Sequence, residues 1–133
     1  TKRDCESGNG TFDFVGFTHY WGKSRRGYWV IKRKTMGKRL NRAIRKHWQW
    51  CRKNRHMPVK EQHWKLRQKL NGHYQYYGIR GNYDNLKVVL KETERAWQYW
   101  LSRRSQESRI PWEKFHKLLA KYPLPRPRIV HSI

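Results

Sequence analysis

Aromatic and β-branched residues crowd the stretch Thr11-Phe12-Asp13-Phe14-Val15-Gly16-Phe17-Thr18-His19-Tyr20-Trp21 and return in Tyr28-Trp29-Val30-Ile31-Lys32. Between them, Gly22-Lys23-Ser24-Arg25-Arg26-Gly27 carries turn chemistry with glycine at both ends. This pattern predicts a β-hairpin over residues 11–34. The period then changes. Met36, Leu40, Ala43, Ile44, His47, Trp48 and Cys51 recur at offsets 0, 4, 7, 8, 11, 12 and 15, one helical stripe, so a helix is expected over residues 35–55.

Three more helices follow from the same period. The second covers residues 58–77, with Pro58 in its first turn, Glu61 near the positive end of its dipole, and Val59, His63, Leu66, Leu70, Tyr74 and Tyr77 as its stripe. Gly72 interrupts that stripe and weakens the last turn. Residues 78–82 read as a loop. The third helix covers residues 83–103, with Asn82 as its N-cap and Leu86, Val89, Leu90, Thr93, Ala96 or Trp97, Trp100 and Leu101 facing inward. A polar linker at 105–109 leads to a short fourth helix over 111–121, with Trp112, Phe115, Leu118, Leu119 and Tyr122 on one face. The tail Pro123-Leu124-Pro125-Arg126-Pro127 is extended and polyproline-like. The expected class is mainly α: an N-terminal β-hairpin, a three-helix bundle, and a short helix with an extended tail. The expected units are residues 1–34, 35–104 and 105–133.

Charge sharpens this picture. The 133 residues hold 32 Lys or Arg against 9 Asp or Glu, a net charge of +23. A polyanion is the natural partner for such a chain. Mean hydropathy is −1.18, and no run approaches the roughly 18 apolar residues of a membrane span, so no membrane is expected. Aromatic residues make up 15% of the chain, which argues for a folded domain rather than a disordered basic tail. The charge is also localised. Residues 14–60 contain no carboxylate and 15 of the 32 cations. On the first helix, Lys38, Arg39, Arg42, Arg45, Lys46, Arg52 and Lys53 fall on the face opposite the apolar stripe.

Candidate chemistry narrows to binding. The carboxylates are scattered, and Glu92 and Glu94 lie two apart on a helix, so they point in different directions. Cys5 and Cys51 form neither a disulfide framework nor a zinc site with the histidines at 19, 47, 56, 63, 73, 116 and 131. His47 and His63 on apolar stripes read as core imidazoles, and Cys51 as a buried thiol. The start Thr1-Lys2-Arg3-Asp4 opens no apolar leader, so an intracellular chain with free thiols is expected. A helix with one buried face and one cationic face suits a phosphate backbone. Trp50, Tyr76 and Tyr99 fall off the stripes and are candidates either for base stacking or for packing against neighbouring elements.

Three stretches resemble one family. Phe12-Asp13-Phe14-Val15-Gly16-Phe17 looks like the last palm motif of group II intron reverse transcriptases, with Val15 where leucine is usual. Leu70-Asn71-Gly72-His73-Tyr74-Gln75-Tyr76-Tyr77-Gly78-Ile79-Arg80-Gly81-Asn82 resembles that family's thumb, the maturase or X domain. The ending Pro123-Leu124-Pro125-Arg126-Pro127-Arg128-Ile129-Val130-His131-Ser132-Ile133 looks like the C-terminus of bacterial members that lack an endonuclease domain.

The resemblance implies an RNA-binding thumb that assists intron splicing in a retroelement, a mobile genetic element. It would grip an RNA/DNA template–primer duplex in the intact enzyme. Implied RNA contacts are Lys23, Arg25, Arg26, Lys32, Arg33, Lys34, the seven cations of the first helix and Arg80. Phe14, Val15, Gly16 and Phe17 would sit in the primer-grip region. The fingers, most of the palm and the Tyr-Ala-Asp-Asp-type motif are absent from this sequence. The chain is therefore not expected to polymerise alone, and Mg²⁺ would belong to the missing palm. Bacterial cytoplasm and a ribonucleoprotein are the implied setting, with structured intron RNA and the rest of the reverse transcriptase as partners. Two alternatives stand beside this: a docking fragment that completes a separately encoded palm, and a general basic nucleic-acid-binding domain.

Overall fold

The computed structural model describes residues 11–14, 17–23, 26, 28–35 and 37–131. The chain is mainly helical, with four helices among the described residues. These are α1 (Gly37–Lys53), α2 (Val59–Tyr77), α3 (Tyr83–Leu101) and α4 (Trp112–Lys121). Each lies within two residues of its expected bounds. Met36 falls outside the described residues.

Ahead of the helices, backbone pairing forms three antiparallel strands in the order β1 (Thr11–Phe14), β2 (Phe17–Lys23) and β3 (Trp29–Thr35). Lys23 pairs with Trp29 at one end of the β2–β3 ladder and Phe17 with Thr35 at the other. This differs from the two-strand hairpin expected over residues 11–34, and no packing of that hairpin is described. Val15, Gly16 and Arg25 lie outside the described residues, as do the side chains of Phe14, Phe17, Lys23, Lys32, Arg33 and Lys34.

The apolar stripes meet in two clusters. Cys51, Leu66, Ala96, Trp97, Leu101 and Phe115 fill the end where α1 and α3 finish and α4 docks. Leu70, Tyr74, Leu86 and Val89 fill the opposite end, with Leu40, Ile44 and Tyr77 packed against them. Each fully buried aliphatic side chain contributes about 1.5–3 kcal/mol, so the two clusters supply the main driving force.

One polar side chain ties several parts of this core together. The Gln62 amide donates to the carbonyls of Arg55 and Met57 at 3.2 and 2.6 Å, and its oxygen accepts from Trp97 Nε1 at 2.9 Å. The turn before α2 and the C-terminal part of α3 are thereby held to one side chain. Gln62 lies off the stripe expected for α2, and it is buried because these backbone carbonyls need a donor.

Two glycines of α2 behave in opposite ways. Gly72 does not end the helix, which runs on to Tyr77, and a Cβ there would meet nothing within 4 Å. Gly78 closes an inverse γ-turn, with Ile79 N–H on the Tyr77 carbonyl at 2.8 Å. A Cβ on Gly78 would collide with the Tyr74 carbonyl and come 2.7 Å from that of Arg128. Gly81, at φ 95°, needs the left-handed conformation that glycine permits. Asn82 occupies the N-cap position of α3 but does not cap it with its side chain, contrary to expectation. Its amide is drawn instead to the Tyr77 carbonyl at 2.8 Å, closing the 78–82 loop.

The tail was expected to be extended, and it is also fastened. Tyr74 Oη donates to the Pro125 carbonyl at 2.8 Å, and Arg128 donates to Asn71 Oδ1 at 2.7 Å. Val130 and His131 N–H both donate to the Gly78 carbonyl, at 2.7 and 2.8 Å. Leu124 packs against both core clusters. The segment 123–131 is thus a strap along α2. One substitution type tests both glycines. Gly72→Ala should stabilise the fold by about 0.5–1 kcal/mol, the helix-propensity difference. Gly78→Ala should destabilise it by about 1–3 kcal/mol, because backbone must shift. Urea unfolding of the two variants checks the opposite signs.

Candidate nucleic-acid interface

α1 has 17 residues and is about 25 Å long at 1.5 Å per residue. Lys38, Arg39, Arg42, Arg45, Lys46, Arg52 and Lys53 are all exposed along it. Its inward face docks on α3, where His47 Nδ1 lies 2.7 Å from Thr93 Oγ1 and Trp48 Nε1 donates to Glu92 at 3.1 Å. That docking fixes which way the cations point. Among the described residues the ion pairs are Lys87–Asp84 and Arg95–Glu92, both within α3, so the α1 cations have no carboxylate partner.

This arrangement works against the helix itself. Lys38 and Arg39 sit in a first turn with no acid, at the positive end of the dipole. Arg42 lies four residues after Lys38 and three after Arg39, then three before Arg45 and four before Lys46. Four like-charge neighbours therefore surround one guanidinium, each costing about 0.2–0.5 kcal/mol at low salt. An anion on this face would relieve all four contacts.

Arg80 is exposed in the 78–82 loop. Tyr77, just before it, packs on the cluster that also takes Leu40 and Ile44, so Arg80 lies at the end of the bundle where α1 begins. Arg26 is exposed as well. At the other end of α1, the guanidinium of Arg52 lies over the Trp100 ring at 5.7 Å, and so does that of Arg55.

The off-stripe aromatics divide. Tyr76 is 50% exposed. Tyr99 is 37% exposed, its ring covered by the Arg103 guanidinium at 3.4 Å and edge-on to Trp48 at 5.5 Å. Trp50 is no open platform, since it packs against the core cluster and the Lys69 ammonium lies 5.6 Å from its ring. Two further tryptophans are exposed. Trp64 lies on the outer face of α2 at 53% exposure. Trp112 was expected inside but is 44% exposed, because Phe115 takes the buried place on α4.

Buried chemistry is structural. Burial pushes the Cys51 thiol up to about 12, so it stays protonated at neutral pH. Glu92 turns toward Trp48 and Arg95, whereas burial raises Glu94 in a setting shared with His116 and Lys91, so the two carboxylates diverge. Among the described residues no three His, Cys, Asp or Glu side chains gather as metal ligands. None of the described helices is long and apolar enough to cross a membrane. His63 Nε2 lies 2.7 Å from the Pro123 carbonyl and helps hold the strap. Comparison with protein-family models, with curated proteins and with solved structures gave no match.

His47 and His73 behave alike. Their rings lie 6.5 Å apart and both are buried. The Thr93 hydroxyl donates to the Val89 carbonyl at 2.7 Å, so His47 Nδ1 must carry the proton that it shares with Thr93. His73 packs on Tyr77, with ring centroids 4.7 Å apart, and its Nε2 has no partner. Burial lowers both rings from 6.5 to about 4, and for His47 the neighbouring His73 and Lys69 add to it. The unfolded chain therefore binds more protons between about pH 6.5 and 4. Stability is complete above that window and lost as pH falls through it, by on the order of 2–3 kcal/mol per ring. Replacing His73→Phe keeps the ring contact and removes one titration. Urea unfolding at pH 7 and pH 4.5 should show a smaller acid loss in the variant, and an equal loss would refute this account.

Proposed function

We propose that this chain is the RNA-binding thumb of a group II intron reverse transcriptase, which grips structured intron RNA so that it folds and splices. The observation that carries the reading is the cationic face of α1, seven exposed side chains without a carboxylate partner among the described residues. Phosphates would sit along that face, and Arg80 would extend the contact at its N-terminal end. The ordered palm-end, thumb and C-terminal motifs support the family assignment. On this reading the N-terminal strands belong to the end of a palm, and Phe14, Val15, Gly16 and Phe17 support a primer end. Polymerisation and its Mg²⁺ belong to palm residues that this sequence lacks. The setting is a bacterial ribonucleoprotein.

Retention of structured RNA on filters should weaken about 10³-fold between 50 and 200 mM salt if six or more phosphates are held. Joint replacement of Arg39, Arg42 and Lys46 by Ala should lower affinity while leaving the fold intact. Equal affinity for duplex DNA would instead favour a general basic binder.

A sharper test uses one residue. Arg42→Glu turns four repulsive helix contacts into attractive ones, so it should raise stability by about 1.5–4 kcal/mol at low salt. The same change should reduce RNA affinity. A gain in stability with unchanged binding would mean that α1 presents only a solvated face.

A further inference from the structure

Where α3 passes into the loop before α4 there is an open cleft of about 1020 Å³. Tyr99, Arg103, Arg109 and Trp112 give it its character, and no carboxylate lines it among the described residues. Its floor is fixed from within. Gln98 Nε2 and Ser102 Oγ donate to the Ile110 carbonyl, and Ile110 N–H donates back to Ser102 Oγ at 3.0 Å. Those groups are occupied, which leaves guanidinium and ring surfaces for a ligand. Arg103 is held flat over Tyr99, at 3.4 Å from the ring centroid, with Nη1 donating to the Tyr99 carbonyl at 3.0 Å. Trp112 stands edge-on to Phe115, with centroids 5.6 Å apart, and remains 44% exposed.

The cleft is continuous with the face of α1. Arg52, near the end of the cationic stripe, lies over Trp100, and Trp100 is edge-on to Tyr99 at 4.9 Å. Tyr99 is in turn covered by Arg103. Cations and rings thus run in contact from α1 to Arg103, and Arg109 and Trp112 line the same cleft, as in grooves that track a single strand by charge and base stacking.

We infer that the cleft binds an unpaired nucleotide, its base against Trp112 and its flanking phosphates on Arg103 and Arg109. The strand that supplies it continues from the folded RNA on α1, so the inference rests on the function proposed above. An acidic peptide would need the guanidinium groups but has no use for an exposed indole.

The test uses the full chain, a uridine hexamer as the single strand, and a blunt RNA duplex. Trp112→Ala should weaken hexamer binding about tenfold, as loss of one stacked base does, and leave duplex binding unchanged. Trp112→Phe should retain most of the affinity, which guards against a folding defect. Replacing Arg103 and Arg109 by Ala should flatten the slope of log affinity against log salt by about 1.4, two contacts at about 0.7 each. Unchanged hexamer affinity in Trp112→Ala would overturn the inference, and so would an equal loss of duplex affinity. A polyglutamate peptide that competes as well as the hexamer would also overturn it, by assigning the cleft to acidic peptides. If the Arg39, Arg42 and Lys46 triple variant keeps its duplex affinity while Trp112→Ala loses the hexamer, the α1 reading fails and the cleft stands.

Discussion

The fold turns on the buried amide of Gln62. One side chain satisfies two carbonyls in the turn between α1 and α2 and accepts from the indole of Trp97 on α3. An apolar residue there would leave the Trp97 N–H buried without a partner, at about 1–3 kcal/mol, and would take this donor from two half-buried carbonyls. Trp97 is also the surface on which α4 docks, since Phe115 meets it edge-on at 5.7 Å. Four helices are therefore registered through one amide and one indole.

This registration has a charge to withstand. A net +23 is self-repulsive, and α1 concentrates the repulsion on its outer face. The docking of His47 on Thr93 and Trp48 on Glu92 holds that face in place despite the cost. A bound polyanion would stabilise the folded state to the extent that it binds the ordered cationic face more tightly than the open chain.

The helices were legible in the sequence because their stripes are long and regular. Leu66, Leu70, Leu86, Val89 and Phe115 were all placed on inward faces, and all are buried. The cationic face of α1 was legible for the same reason, being the complement of its stripe. What stayed hidden was polar or reciprocal. Gln62 and His73 share the inward face of α2 with Leu66 and Leu70, but as polar residues they were not counted in its apolar stripe. Trp112 obeys helical spacing yet stays half-exposed, because Phe115, with Leu118 and Leu119, fills the contact of α4 with the core. The Asn82 side chain follows a loop carbonyl rather than the helix start, and that competition depends on the geometry of the 78–82 loop. The cleft beside α4 depends on the path of a linker, about which composition says only that it is polar.

The strap has a consequence for how the chain is made. Its side-chain bonds to α2 join residues between 51 and 60 positions apart, from His63 to Pro123 at the longest. During synthesis, α1, α2 and α3 can pack before residues 123–131 have left the ribosome. Leu124, which both clusters use, is then missing from an otherwise assembled core. The entropy of closing so long a loop is met only once the helices already stand in place. Tail docking thus follows the packing of the helices: until it happens, the Tyr74 hydroxyl and the Gly78 carbonyl lack the partners that residues 125–131 bring them.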